Sequence, residues 1–463
     1  MRPERPNDFP AAWSAATEVD AIDTQSQVKQ ILLQLREKLQ TSIWLIPVVL
    51  CMGCLALAAV LLWAEREFDP LLPGLQVLAI PVSSARQVLG VIAGSVLSVG
   101  GVVFSVTMVA LTLTSGQYGP KILRQFLSDN ASKISLGMFL GTSLYCLVAV
   151  TAYEDTDQPG ISVVAALLLT AAAFAGFIRF IHRTATDLQA DRIIQSIGGE
   201  LLQLFTELTN EGSQQGRSYD TLGWRQQARR FRPLAIAAGT GGYIQTVDYQ
   251  GLVQWCADHG CVAQLRVRAG DFILQGNCLA KLYGSASVLQ ELDVGAAIRS
   301  FVRTGAMRTP VQDPEYPITQ LNQLTARALS PGINDPGTAI TAIDWFSLAV
   351  AHIADRDMPG KVFMDQSGTP RLLARFTDYA GIMKAFYAPA RQFARGNIPV
   401  LIALLESLNR LADLTTMRDR LAIIARHGQE LSNVVECDRH TGYDLTGFRQ
   451  RHARLTMLTS RLD

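Results

Sequence analysis

The sequence predicts an α-helical multi-pass membrane protein with four transmembrane helices and a mixed α+β cytoplasmic region, the latter containing a small β-barrel-like module and C-terminal helices. Three observations predict it. Four apolar runs lie between residues 43 and 181, and Lys and Arg are placed unevenly around them. After residue 233 the pattern changes to short glycine-punctuated runs of strand character, then to amphipathic helical periodicity.

The N-terminal segment, 1–41, carries Glu4, Asp8, Glu18, Asp20, Asp23 and Glu37, and the first apolar run starts too late and runs too long for a cleaved signal. The spans are 43–64, 88–114, 134–153 and 161–181, within a transmembrane domain of 42–183. In the first, Trp44 and Trp63 stand about 28 Å apart at helical rise, close to the hydrocarbon thickness, and Pro47 falls in the first turn, where a missing donor costs little. The second and third are uncharged, and the fourth is broken only by Arg179. The first connection sets Glu65, Glu67 and Asp69 against Arg66 and Arg86, and the third has Glu154, Asp155 and Asp157 with no Lys or Arg. Lys29, Arg36 and Lys38 precede the first span, Lys121, Arg124 and Lys133 lie between the second and third, and Arg183 and Arg192 follow the fourth. The positive-inside rule then places both termini in the cytoplasm.

On the second span, Gly94, Ser98, Gly101, Ser105, Met108, Thr112 and Ser115 recur at spacings of four and three and share one helix face. Two readings stay open: tight helix packing through small residues, or a hydroxyl-lined path. No Asp, Glu, Lys or Arg lies within this helix, and four helices are too few to enclose water, so conduction requires a homo-oligomer. Gly137 and Gly141 add a GxxxG face on the third span.

Residues 184–232 read as a juxtamembrane helix, bent at Gly198-Gly199, and a basic linker with Arg217, Arg225, Arg229, Arg230 and Arg232. Residues 233–284 read as a small β-module, with a helix near 249–259 and a glycine-turned hairpin over 262–276 whose Val-x-x-Gly-Asp-x-x-x-x-Gly rhythm is that of half a biotinyl/lipoyl-type barrel without its carrier lysine. Residues 285–463 read as mainly helical, with a hairpin near 361–375. Within them, a helix over 318–329 breaks at Ser330-Pro-Gly, and another starts with Asp335 as N-cap and Pro336 at its first position. Asp313, Gln320, Arg327, Asn334, Asp335 and Thr338 are the candidate ligand or coupling site, the alternative being capping and turn chemistry alone.

Catalytic chemistry finds no residues here. There is no GxSxG or HExxH, and Gly239-Thr-Gly-Gly lacks the lysine of a phosphate loop. The seven cysteines are expected as reduced thiols. Cys256, His259, Cys261 and Cys278 are zinc-ligand types at a spacing that matches no zinc pattern, so neither metal nor cofactor is expected. A net charge of +1 excludes a nucleic-acid field.

Thr107-Met-Val-Ala-Leu-Thr-Leu-Thr-Ser-Gly-Gln117-Tyr-Gly-Pro120 with Leu123-Arg124-Gln-Phe126, Gly137-Met-Phe-Leu-Gly141-Thr, and Ala328-Leu-Ser-Pro-Gly-Ile-Asn-Asp-Pro336 resemble the predicted-membrane-protein family called domain of unknown function 2254. Gly242-Tyr-Ile-Gln-Thr-Val-Asp248 and the stretch from Val267 to Leu279 also fit it. The resemblance implies a bacterial inner-membrane protein and brings no catalytic residues. The architecture is also similar, by analogy only, to bestrophin-like channels. The expected partners are the lipid bilayer, further copies of the chain, and a small ion or anionic ligand. Two functions follow as expectations: an oligomeric ion channel or passive transporter with a cytoplasmic regulatory domain, or a membrane-anchored ligand-binding or scaffold protein without conduction.

Overall fold

Four helices follow from the four apolar runs in the computed structural model, which describes residues 44–68, 80–118, 130–154, 160–187, 189–210, 217–218, 220–289, 293–437 and 442–460. They are α1 (Leu45–Phe68), α2 (Val82–Tyr118), α3 (Asn130–Ala152) and α4 (Ile161–Asp187). Stretches of 21, 28, 21 and 23 residues within them are long and apolar enough to cross a membrane. The second span starts at Val82 rather than at 88 because Arg86 is accommodated inside the helix, its guanidinium donating to the Tyr153 carbonyl at 2.5 Å. The N-terminal segment, Asp69, Lys121, Arg124, Asp155 and Asp157 lie outside the described residues.

The chain divides into two units, Met1–Leu188 and Gln189–Asp463. In the first, α3 is the central helix and packs on α1, α2 and α4. Small residues allow the approach. A Cβ on Gly137 would come within 2.8 Å of Pro47 and Leu50 of α1, and one on Gly141 within 2.8 Å of the Cys54 sulfur. Phe139 is fully buried, set against Gly100 of α2, and meets Phe174 and Phe177 of α4 edge-on at 6.1 and 5.9 Å. Hydroxyls complete the hub: Ser143 donates to the Ala93 carbonyl (3.1 Å), Ser135 to that of Gly176 (3.1 Å) and Tyr145 to that of Ser162 (2.9 Å). In hydrocarbon these hydroxyls have no water to turn to, so the bonds fix which faces meet.

The second unit opens with α5 (Ala190–Thr209), whose apolar stripe of Ile193, Ile194, Ile197, Leu201, Leu204 and Phe205 is buried. The helix continues through Gly198-Gly199, the position where a bend is expected, and Gly198 admits Trp345, whose side chain would stand 2.8 Å from a Cβ there. Then come β1 (Arg217–Ser218), α6 (Leu222–Ala228), β2 (Pro233–Ala237), β3 (Gly242–Val247), α7 (Tyr249–Asp258), β4 (Val262–Leu265), β5 (Phe272–Ile273), β6 (Cys278–Tyr283), α8 (Ala286–Leu289), α9 (Val294–Ser300) and β7 (Val302–Gly305).

The barrel expectation is corrected. The strands form two open sheets, β1-β8-β9-β4-β6-β2 and β5-β3-β7, where β8 is Val362–Met364 and β9 is Pro370–Leu373. No barrel closes among the described residues, because 262–276 does not turn back as a hairpin. β4 pairs with β6 (Val262 opposite Tyr283, Leu265 opposite Ala280), while β5 crosses to pair with β3. Gly270 (φ +90°) and Gly276 (φ +85°) supply the left-handed backbone for that excursion. Strands from 217–218 and 362–373 complete the larger sheet, so it is not confined to 233–284. The β8–β9 hairpin turns where the Asp365 carboxylate accepts from the Ser367 and Thr369 amides, both at 2.9 Å, with Gly368 at φ +77°.

Helices α10 (Glu315–Ala328), α11 (Pro336–Ala351), α12 (Tyr379–Phe393), α13 (Ile398–Leu414), α14 (Arg418–Cys437) and α15 (Gly442–Thr459) build the remainder. Phe346 and Phe386 stack at 3.9 Å in its core, beside a buried hydroxyl chain in which Ser407 lies 2.5 Å from both Ser347 and Tyr387. Two helix ends clasp each other here. Buried Arg420 of α14 donates to the Ile353 and Arg356 carbonyls beyond α11, and Asp355 accepts from the Thr416 amide (2.9 Å) ahead of α14.

Candidate functional site

The small-residue stripe of α2 faces away from the four-helix core. Gly94, Ser98, Gly101, Ser105, Met108 and Thr112 are exposed, and nothing lies within 4 Å of a Cβ added at Gly94 or Gly101. The face that packs is a different one, carrying Leu89, Ile92, Ala93, Val96, Gly100 and Val103. Ser98 donates to the Gly94 carbonyl (3.0 Å) and Thr112 to that of Met108 (2.9 Å), so both hydroxyls are satisfied within their own helix. The side chain of Ser115 lies outside the described residues.

A carboxylate in the same unit escaped the sequence reading. Glu65, at the end of α1, accepts from the Tyr153 hydroxyl (3.0 Å), the Gly160 amide (3.2 Å), the Ser162 amide (2.7 Å) and the Ser162 hydroxyl (2.7 Å). It thereby supplies from another helix the anion and acceptors that the first amides of α4 require. Arg86 binds the backbone of the same Tyr153. The available signal was the Pro159-Gly160 break followed by Ser162, a helix start with no acidic residue of its own.

The six candidates in the second unit do not converge. Asp313 precedes α10 and Asn334 follows it, and 14 residues of helix separate these two ends by about 20 Å. At the far end, Asn334 adopts φ +49°, the Asp335 amide returns to the Ala328 carbonyl (2.7 Å), and the Asp335 carboxylate accepts from the Thr338 amide (3.2 Å) and hydroxyl (2.6 Å). The hydroxyl first, then the amide, hold the Asp335 carboxyl below its usual range. That anion already occupies the start of α11, as an N-cap does. Arg327 lies in the last turn of α10, and Gln320 sits mid-helix with its side-chain oxygen buried and without a hydrogen bond.

Asp313 belongs to a charged cluster at the other end. It is 2% exposed and ion-paired with Arg308, and it accepts from the Glu315 amide (3.1 Å). Burial pushes its pKa up, against the pull of Arg308. Glu315 pairs with Arg268 (2.8 Å) and accepts from Thr377 (2.9 Å), and Arg268 and Arg375 reach Asp271 at 3.5 and 3.8 Å. Gly270 is required beside it, since a Cβ there would fall on the Asp313 carboxylate. Sequence spacing missed this cluster because its arginines, Arg268, Arg308 and Arg375, come from three separate loops.

Among the described residues, no group of three or more His, Cys, Asp or Glu is placed to hold a metal. His259 stacks on Trp255 at 4.2 Å, and Cys278 starts β6, about 16 Å of strand from the Tyr283 that faces Val262. Cys256 and Cys261, by contrast, meet. Gly260 (φ +62°) ends α7, its amide bonding to the Ala257 carbonyl (3.2 Å) and that of Cys261 to the Cys256 carbonyl (2.9 Å). This is a Schellman end, and the two cysteines make the side-chain contact that accompanies one. Both side chains are buried in one core cluster. Interaction with Cys261, with burial, drives Cys256 well up; interaction with Cys256, with Arg371 nearby, outweighs burial and brings Cys261 down.

The sequence profile of the predicted membrane proteins called DUF2254 matches residues 40–410. The chain belongs to this family. The chain is similar to the uncharacterized protein MT1328 of Mycobacterium tuberculosis (strain CDC 1551 / Oshkosh) and the uncharacterized protein Mb1321c of Mycobacterium bovis. Each is 27% identical over 431 residues, spanning 90% of this chain and 81% of the relative. No solved structure matches. The family match covers all four apolar helices, the α10–α11 joint and most of α13, so the exposed α2 face and the Glu65 contacts both lie in its territory.

Proposed function

We propose that this chain is a non-enzymatic, oligomeric ion channel or passive transporter of the bacterial inner membrane, with α2 lining the path and a cytoplasmic second unit regulating it. The observation that carries this reading is the outward turn of the uncharged Gly/Ser/Thr face of α2 from its own four-helix core. A face of small residues and hydroxyls is poorly suited to lipid chains and well suited to a symmetry axis, where further copies meet or water passes. Both termini are cytoplasmic by the distribution of Lys and Arg.

Purified oligomer in a planar bilayer tests it. Conductance that Ser105→Leu or Thr112→Leu alters is the expected result, and no conductance in any salt, pH or tension from a verified oligomer would refute it. A second reading, a membrane-anchored ligand-binding or scaffold protein, is favoured by one observation: Ser98 and Thr112 are hydrogen-bonded within their helix, which suits close packing between copies. Under that reading, the same leucines dissociate the oligomer.

A further inference from the structure

We propose that Cys256 and Cys261 are a modification site, forming a reversible disulfide in response to peroxide. The Schellman end of α7 holds the two residues together with a direct amide-to-carbonyl bond of 2.9 Å and buries both side chains in one core cluster, which places the pair for closure of a disulfide. Disulfide formation brings the two sulfurs to about 2 Å. The Arg371 guanidinium, ion-paired with Asp365 at 2.7 Å, also donates to the Cys261 carbonyl (3.4 Å), which puts a partly compensated positive charge near the cysteine that must act as thiolate. Both side chains are shielded, at 0 and 1% exposure, so the oxidant has to be small and to enter as the last turn of α7 opens. Hydrogen peroxide meets that requirement.

The reaction balances on these residues and peroxide alone. The Cys261 thiolate attacks one peroxide oxygen, the O–O bond breaks, and the leaving hydroxide takes a proton, giving a sulfenic acid and water. The Cys256 sulfur then attacks the Cys261 sulfur and expels the hydroxyl, which leaves as a second water with the Cys256 proton. Two thiols are oxidised to one disulfide and one peroxide is reduced to two waters. A dithiol reductant reverses it.

The test uses the full chain in detergent, treated with graded hydrogen peroxide, then denatured, alkylated and digested with trypsin. Arg232-Pro233 resists cleavage, so residues 231–266 form one peptide holding both cysteines and no other. The expected result is a peptide two hydrogens lighter that takes no alkylating label, with both labels returning after dithiothreitol. Cys261→Ser abolishes the change, and Cys256→Ser leaves Cys261 as a sulfenic acid that dimedone traps. Exposed Cys437 reports that peroxide was active. A peptide that keeps both thiols alkylatable at peroxide levels that oxidise Cys437 overturns the proposal. So does a bond found only between copies, or only after unfolding in urea.

Discussion

Replacing Glu65 by alanine removes one carboxylate that serves four donors on two elements. Two of them, the Gly160 and Ser162 amides, are the start of α4, where loss of a cap costs about 1 kcal/mol and loss of an anion a further ~0.5 kcal/mol. The other two, the Tyr153 and Ser162 hydroxyls at 3.0 and 2.7 Å, each lose a charge-assisted bond. Water at this half-buried site recovers part of that, leaving about 1 kcal/mol for the pair. The expected destabilisation is therefore about 2–3 kcal/mol, or a fall in Tm of roughly 6–10 °C. Thermal unfolding in detergent, followed by circular dichroism and by fluorescence of the eluted folded peak, measures it. Glu65→Gln retains one oxygen for the two amides, and the hydroxyls can rotate to accept from its NH2, so it should lose only about 1 kcal/mol. An alanine variant that melts within 2 °C of wild type would mean that the carboxylate does not hold α4, and the reasoning fails. (At about 3 °C per kcal/mol, the 2 °C margin is roughly two-thirds of a single kcal/mol.)

Three further outcomes are expected. Gly141→Leu, whose Cβ alone would meet the Cys54 sulfur at 2.8 Å, should cost roughly 3 kcal/mol or more and broaden the folded peak, whereas Gly101→Leu, with nothing within 4 Å, should leave monomer stability unchanged and alter only oligomer size or conductance. Asp313→Asn should destabilise by about 3 kcal/mol by leaving Arg308 without its counter-charge, and the double variant Arg308→Met/Asp313→Leu should recover most of it in a double-mutant cycle. Asp365 reports on pH. Burial works to raise its pKa, but the Ser367 and Arg371 bonds and the Thr369 amide outweigh it and hold it at about 2. Its folded value lies below the unfolded ~3.9, so its contribution is complete above about pH 4 and is lost as pH falls toward 2. Asp365→Asn should flatten the stability profile in that window, and an unchanged slope would count against the turn.

What the sequence made legible was whatever local physics decides. Four apolar runs of membrane length became four helices, Asp335 and Pro336 open α11, and Ser367-Gly368 turns the β8–β9 hairpin. Each is settled within a few residues or by transfer from water. What stayed hidden depends on partners distant in sequence. Periodicity found a face on α2 but could not say that it points outward, since glycine and serine look alike whether they meet a neighbouring helix or lipid. Glu65 read as one charge in an acidic connection because its partners Tyr153 and Ser162 lie 88 and 97 residues away. The barrel expectation failed because β4 takes a parallel partner, β9, from far along the chain, and a glycine rhythm cannot announce that pairing. The candidate site spreads apart because its residues bracket a 14-residue helix whose two ends lie about 20 Å from each other.

The central place of α3 bears on how the protein is made. Its span has the lowest mean hydropathy of the four, 1.8 against 2.8 for α1, and yet it is the most enclosed, with 56% of that span buried against 17%. A nascent helix of this kind gains less than its neighbours from partitioning into lipid alone. It would leave the translocon to best advantage when α1 and α2 are already waiting beside it, Gly137 and Gly141 settling on the first and Ser143 finding its carbonyl on the second. Biogenesis of the membrane unit is then a cooperative assembly in which order of synthesis matters, and α3 expressed behind a foreign leader should insert poorly while α1 inserts well.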